Sequence, residues 1–346
     1  MSLISYLTRI HFADRVLEDA LSEEVGRNGM ARPLVISEGA VPVSDGLERL
    51  FDALPVGVAP VHYRTDANDA PRAQLGAAVG PLSEGDCDGI IGYGGMRPLD
   101  LARLLGDAGP AVITVPTGAH TIGLGPLGTG FAPQAPRRVR IPAAILCDAT
   151  LALDVGPAET AAGGMDALVH CLESFLSTAF NPPADGMALD GLRRAWLNVE
   201  AAVADGRDLS ARRDLLAAAL DAGLASEKGY GGIEAAAQGL EATSAARHGV
   251  FHGALLPEVM SFNAPAVSDR APAIRTALGL SPDSDFVERL ALLAERIGLP
   301  VRLSEAGIEA PSLERAARRA AAAAANRTNP RHATARDYEA MMRAVL

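Results

Sequence analysis

The length, charge and cysteine content of the chain restrict the classes of protein to which it can belong. Its 346 residues exceed the size of one typical compact domain and suit two. A formal net charge of −11 argues against a nucleic-acid-binding protein, because binding to phosphates requires clustered cations. The three cysteines form no CxxC pair, so the sequence predicts neither a disulfide scaffold nor a cysteine zinc site.

The sequence also lacks the patterns of export and of membrane insertion. The first residues contain no apolar signal core followed by a cleavage site, and no segment approaches ~20 uninterrupted apolar residues. We therefore expect a cytoplasmic protein that binds neither a membrane nor a nucleic acid.

In the first 156 residues, short apolar runs alternate with amphipathic helical patterns. The runs that read as buried strands are Pro33–Ser37, Gly57–Tyr63, Gly89–Tyr93, Ala111–Val115 and Ala143–Cys147. The helical patterns between them include Asp45–Leu54 and Pro98–Leu105. This alternation predicts a Rossmann-like α/β domain with a largely parallel sheet, spanning residues 1–156 and suited to binding a dinucleotide.

From residue 157 onward nearly every segment has a helical period. The predicted helices are Ala158–Ser177, Pro183–Asp205, Ser210–Ser226, Gly232–Thr243 and Pro257–Phe262, with several more before the C-terminus. The alanine run Ala316–Ala325 also reads as a helix. The sequence therefore predicts an all-helical second domain over residues 157–346, with any cleft lying between the two domains.

A glycine-rich turn follows the third predicted strand and opens a helix. Gly94 and Gly95 would let backbone N–H groups approach a phosphate, although glycine at such a turn is often only steric relief. Glu38 follows the first predicted strand, where it could bind the ribose of NAD and repel the extra phosphate of NADP, or be a solvated loop acid. Thr117 and Thr121 follow the fourth predicted strand and could line the same dinucleotide.

Asp166 and His170 form the most informative pair in the chain. Four residues apart, their side chains lie on one face of a helix, close enough to bind one ion. Glu234, His248 and His252 supply further potential ligands later in the chain. Such a set suits divalent Fe, Zn or Mn with a position open for substrate, but pairs with this spacing are also common on helix surfaces.

Taken in order, these segments resemble four motifs of the iron-containing alcohol dehydrogenase family. The matching segments are the glycine turn Gly94–Asp100, the loop Pro116–Gly118, the helix Gly164–His170 and the stretch His248–Asn263. The four-residue spacing of His248 and His252 is most similar to the maleylacetate reductase branch. The resemblance implies an α/β dinucleotide-binding domain, a helical metal-binding domain and an enzyme that acts on CH–OH groups.

The resemblance also implies a role for individual residues. Asp166, His170 and His248 match metal ligands of the family, and Glu234 stands at the remaining ligand position, where relatives usually carry histidine. Gln238 replaces another family histidine that lies near substrate. The implied cofactor-binding residues are Glu38, Gly94, Gly95, Met96, Asp100, Thr117 and Thr121.

These observations predict an NAD(P)-dependent alcohol dehydrogenase or carbonyl reductase, with Glu38 favouring NAD over NADP. A divalent Fe, Zn or Mn ion would polarise the oxygen of a small alcohol or carbonyl substrate. His252 would act as a proton relay, or alternatively orient a metal ligand. Because relatives are commonly dimers, we expect a homodimer.

Three other functions are compatible with the same motifs. One is a metal-free reductase of the maleylacetate reductase kind. Another is a metal-dependent lyase related to dehydroquinate synthase, which uses NAD only transiently. The third is a degenerate homologue that binds a ligand or partner without turnover, because five residues depart from the family pattern, namely Met96, Arg97, Gly118, Glu234 and Gln238.

Overall fold

The chain forms two compact units, each described here by itself. The computed structural model describes residues 8–39, 45–66, 71–120, 122, 141–241 and 248–346. The sheet unit contains the described residues up to Gly118 and those from Ile122 to Asp154. The helical unit contains Ala119, His120 and the described residues from Val155 to the C-terminus.

The sheet unit is built on parallel strands. Within the described residues, six strands pair in the order β1-β6-β5-β4-β2-β3, and all five pairings are parallel. Their bounds are β1 Arg9–Phe12, β2 Pro33–Glu38, β3 Val61–Thr65, β4 Gly89–Gly94, β5 Ala111–Pro116 and β6 Ala144–Cys147. The predicted parallel α/β fold is therefore confirmed, while β1 was missed and β3 begins at Val61 rather than Gly57.

Helices cover this sheet, and apolar side chains fill the space beneath them. The helices are α1 Leu17–Arg27, α2 Asp45–Asp52, α3 Pro71–Glu84 and α4 Met96–Leu105. Alternate residues of the central strands enter two separate hydrophobic clusters: Val35 and Ile91 pack in one, Leu34 and Ile90 in the other. Because side chains alternate along a strand, both faces of the sheet are buried, as expected of a doubly wound fold.

The helical unit contains no strand within its described residues. Its helices are α5 Pro157–Leu176, α6 Pro182–Ala204, α7 Leu209–Ala225, α8 Gly232–Glu241, α9 Val250–Val267, α10 Ala271–Ala277, α11 Phe286–Arg296, α12 Leu313–Ala322 and α13 Ala335–Ala344. This confirms the all-helical prediction for the second half of the chain. Among the helices described, none combines the length and apolarity that crossing a membrane requires.

Two helix predictions were wrong in their bounds. The helix predicted from Pro257 begins at Val250, and both Pro257 and Pro265 lie inside it. Burial of one face of this helix outweighs the backbone hydrogen bonds that its prolines cannot form. The helix predicted over Ala316–Ala325 ends at Ala322, because Ala323 has an extended ψ of 147°.

Close packing of α5 depends on a glycine of the motif that carries Asp166. A Cβ atom on Gly164 would collide with the side chain of Val199 on α6. A side chain at this position would therefore push the two helices apart. The glycine fixes α5, and with it Asp166 and His170, against the rest of the helical unit.

Candidate metal and cofactor sites

One face of α5 carries three buried polar side chains. Asp166, His170 and Glu173 follow one another at helical spacing, and each is at most 4% exposed. Nδ1 of His170 lies 3.5 Å from Oδ2 of Asp166. The helix predicted from sequence therefore presents the Asp166–His170 pair to the interior of the unit, rather than to solvent.

Glu173 joins this face to the start of α8. Its carboxylate accepts hydrogen bonds from the backbone N–H groups of Gly231 at 3.0 Å, Ile233 at 2.6 Å and Glu234 at 3.0 Å. Burial raises the pKa of this carboxyl to about 7, while the hydrogen bonds from the backbone N–H groups oppose that rise. Glu173 thus fixes the backbone of Glu234 beside α5. The sequence analysis missed this role, although Glu173 continues the stripe that begins at Asp166.

Glu234 reaches from α8 to two histidines. Its Oε2 atom lies 2.9 Å from Nε2 of His170 and 2.5 Å from Nε2 of His248. The structure therefore brings together all four residues predicted as metal ligands, since Asp166 is adjacent to His170.

His252 joins the same cluster from the first turn of α9. Its Nε2 atom lies 3.7 Å from Oε2 of Glu234, and its Nδ1 atom lies 3.8 Å from Oδ1 of Asp166. Donor atoms of Asp166, His170, His248 and His252 all lie within 4.8 Å of one another. The cluster therefore offers five potential ligands, namely the four predicted ones and His252.

Two neighbouring side chains orient the histidine rings. The ring of Tyr230 stacks on that of His170, with centroids 4.2 Å apart and planes inclined by 21°. Oε1 of Glu241 lies 2.8 Å from Nδ1 of His248. This leaves Nε2 of His248 directed at the cluster, an arrangement that metal-binding histidines commonly share.

The two carboxylates of the cluster stay ionised although they are buried. Burial disfavours charged Asp166 and Glu234, but the nearby histidines together hold the pKa of each carboxyl well below its ordinary value. Burial also disfavours protonated His170, yet the two carboxylates raise its pKa to about 10. Burial lowers the pKa of His252 and favours its neutral form. Burial likewise disfavours protonated His248, yet Glu234 and Glu241 raise its pKa well above the ordinary value. Without an ion the two carboxylates therefore face two protonated imidazoles, and a bound cation would take the place of those protons.

The cluster meets a physical test for a metal ion. The His252 side chain is fully buried, and neither ring nitrogen has a hydrogen-bond partner among the described residues. A buried polar group without a partner is costly, and an ion bound to one of the nitrogens would satisfy it. Imidazole and carboxylate donors together fit divalent Fe, Zn or Mn.

Three of the residues predicted to bind a dinucleotide, Glu38, Gly94 and Thr117, lie at the carboxyl ends of neighbouring strands. Gly94 ends β4 with a φ of 131°, which strongly favours glycine, and its carbonyl accepts a hydrogen bond from the Thr117 N–H at 3.1 Å. A Cβ atom on Gly94 would lie 2.9 Å from Pro98 Cγ and 3.5 Å from Glu38 Cγ. Glu38 is therefore adjacent to the glycine turn. Thr121 lies outside the described residues.

The start of α4 fits an anionic group. Gly95 is the N-cap residue, no side chain caps it, and Met96 is the first residue of the helix. Backbone N–H groups and the helix dipole at such an end favour a phosphate. Asp100 is oriented differently, because its buried carboxylate accepts a hydrogen bond from Nη1 of Arg103 at 3.1 Å. Its predicted contact with cofactor stays a prediction.

Known proteins are similar to this chain over its helical half and over nearly its whole length. The C-terminal family model of the Fe-containing alcohol dehydrogenases matches residues 160–346. The 4-hydroxybutyrate dehydrogenase of Cupriavidus necator is 30% identical over 380 aligned positions, which cover 99% of each chain. Maleylacetate reductase 1 of Cupriavidus pinatubonensis is 27% identical over 312 positions, covering 86% of this chain and 84% of the relative.

A solved structure shares the fold. The crystal structure of sulfoacetaldehyde reductase from Bifidobacterium kashiwanohense in complex with NAD+ has a TM-score of 0.85 at 19% sequence identity, covering 100% of this chain and 98% of that chain. The predicted family resemblance is confirmed, and a maleylacetate reductase is among the relatives. Matched by a family model over its helical half and by a relative over nearly its whole length, the chain belongs to the iron-containing alcohol dehydrogenase family.

Proposed function

We propose that the protein is a nicotinamide-dependent oxidoreductase that interconverts an alcohol and a carbonyl compound. The observation that supports this most strongly is the buried cluster, in which donor atoms of Asp166, His170, His248 and His252 lie within 4.8 Å of one another and Glu234 contacts His170 and His248. Asp166, His170, Glu234 and His248 would hold a divalent Fe, Zn or Mn ion. Such an ion would supply a Lewis acid that stabilises negative charge on the substrate oxygen.

The charges of the carboxylates and the fixed orientation of the histidine rings suit the binding of an ion. Asp166 and Glu234 carry two negative charges in a buried environment, and these balance the charge of a divalent ion. Glu241 holds His248 by its Nδ1 atom, and Tyr230 holds the plane of the His170 ring. Because neutral imidazole is the form that binds a metal, loading would release protons from these histidines.

We propose two possible roles for His252, and the metal content of a His252→Ala variant distinguishes between them. As a proton relay it would exchange a proton with the substrate oxygen through one ring nitrogen. As a ligand it would use that nitrogen on the ion, which suits its burial and its lack of another partner among the described residues. His252→Ala should retain metal in the first case and weaken metal binding in the second.

For the cofactor we propose NAD, with its pyrophosphate at Gly94, Gly95 and Met96. The uncapped start of α4 supports this placement. Glu38 beside the turn would accept hydrogen bonds from ribose hydroxyls and would repel the additional phosphate of NADP. The sulfoacetaldehyde reductase that shares the fold was solved in complex with NAD+.

The named relatives supply the substrates with which to begin. Purified protein loaded separately with Fe, Zn and Mn should be assayed for NADH formation with 4-hydroxybutyrate and for NADH consumption with maleylacetate. We expect net change in NADH with one of them, lost in Asp166→Ala together with the metal. Asp269→Ala, at an exposed position, is the control and should keep both.

Other outcomes identify the alternatives. Activity in metal-free protein, undiminished in Asp166→Ala, would indicate a metal-free reductase. Conversion of a single substrate without net change in NADH would indicate a lyase that recycles NAD. Failure to bind NADH or any of the three ions would contradict the proposal and leave a non-catalytic homologue.

A further inference from the structure

Both oxygens of the Glu234 carboxylate have defined partners. Its Oε2 atom faces the Nε2 atoms of His170 and His248, at 2.9 and 2.5 Å. Its Oε1 atom accepts a hydrogen bond from Nε2 of Gln238 at 2.6 Å. Gln238 lies one turn further along α8, a spacing that brings two side chains together on one helix face.

This hydrogen bond limits how the carboxylate can bind a cation. The terminal torsion of a glutamate is broad, so a carboxylate without a fixed partner can turn and present one oxygen or both. The amide of Gln238 is a neutral donor that fixes Oε1 without changing the charge of the site. Oε2 is then the oxygen that remains directed at the histidines.

We propose that Gln238 is a positioning residue that holds Glu234 in one-oxygen coordination and thereby determines which divalent ion the site prefers. The proposal rests on the proposed function, because it takes the cluster to be a metal site. A single carboxylate oxygen keeps the coordination number low, which suits the four-coordinate geometry of zinc. A carboxylate free to bind through both oxygens raises that number and suits manganese, which prefers six oxygen-rich ligands.

The test compares the affinities of Zn2+ and Mn2+ for the stripped full-length chain, each measured alone by competition with a chelator. In Gln238→Leu, which keeps the size of the side chain but removes the donor, we expect Zn2+ affinity to fall about 10- to 100-fold. Mn2+ affinity should fall less, so the Zn/Mn preference should drop. Gln238→Met is a second variant with the same expected result, should the leucine variant fold poorly.

Two controls separate positioning from a general loss of structure. Gln74→Leu removes the donor of a hydrogen bond to the Asp66 carbonyl, 2.5 Å long and in the sheet unit, and should leave both affinities unchanged. In a Glu234→Gln background, Gln238→Leu should cause little further loss, because its partner has already been altered. A merely structural role would lower both affinities together and would persist in that background.

The outcomes distinguish this proposal from the function on which it rests. A wild-type chain that binds none of Fe2+, Zn2+ and Mn2+ would overturn both. A wild-type chain that binds Zn2+ tightly, with an unchanged Zn/Mn preference in Gln238→Leu and Gln238→Met, would overturn only the role of Gln238. A Zn/Mn preference that falls in Gln238→Leu and Gln238→Met would support the role of Gln238, provided that Gln238→Leu causes no further fall in the Glu234→Gln background.

Discussion

Replacing Glu173 should lower the stability of the helical unit and release the backbone of Glu234 in the candidate metal site. The carboxylate is buried and accepts three backbone N–H groups at the start of α8, at distances from 2.6 to 3.0 Å. Glu173→Ala leaves these donors buried without a partner, at about 1–3 kcal/mol each when taken separately. Because such losses are not additive, we expect unfolding free energy to fall by about 3–5 kcal/mol.

Urea denaturation and thermal melting of the metal-free protein measure this loss. For a unit of this size, 3–5 kcal/mol corresponds to a fall in Tm of roughly 6–20 °C. The matched control is Glu314→Ala, which removes an exposed glutamate paired with Arg318 on α12 and should cost below about 0.5 kcal/mol. A loss under about 1 kcal/mol in Glu173→Ala would refute the argument that this carboxylate anchors α8.

Three further substitutions test other parts of the structure. Gly164→Ala should destabilise the helical unit by about 1–3 kcal/mol through its clash with Val199, whereas Gly186→Ala, which meets nothing within 4 Å, should be neutral or stabilising. Burial and a neighbouring aspartate raise the pKa of Asp221 to about 7. The raised pKa of Asp221 contributes stability that is present below about pH 4 and is lost as the pH rises through 7. The free energy of unfolding of Asp221→Asn should therefore match that of wild type at pH 4 and exceed it by about 1–3 kcal/mol at pH 8. Glu38→Ser should raise NADPH affinity relative to NADH by roughly tenfold.

Each of these has a measurement that can contradict it. Equal melting temperatures for Gly164→Ala and Gly186→Ala would contradict the packing of α5 on α6. A stability difference for Asp221→Asn that does not change with pH would contradict its shifted pKa. If fluorescence titration finds the same ratio of NADPH to NADH affinity in Glu38→Ser as in wild type, Glu38 does not determine a preference for NAD.

The sequence predicted those features that depend on local spacing. Asp166 and His170 could be paired because both lie on one turn of one helix. The contact of Glu173 with α8 joins residues 58 to 61 positions apart, and no local pattern records it. Strand β1 was missed for a related reason: it carries exposed Arg9 at its start and has no apolar run, so only its pairing with β6 defines it.

The role of His252 shows the limit of motif spacing. Its distance of four residues from His248 placed it near the cluster but did not say what its ring would touch. Only the fold reveals that both ring nitrogens are buried near Asp166 and Glu234. Burial depends on the packing of α5, α8 and α9 together, which the residues of α9 alone do not determine.

Four of the five potential ligands in the cluster form two short-range pairs, Asp166 with His170 and His248 with His252, and Glu234 contacts a histidine of each pair. Each pair could hold an ion weakly by itself, and folding makes the second pair available at a high effective concentration. Tight binding of an ion would thus be a property of the assembled unit and not of either segment. An ion bound across both pairs would link the N-terminal part of the helical unit to α9 as a reversible crosslink, and chelation would release that crosslink without breaking a covalent bond.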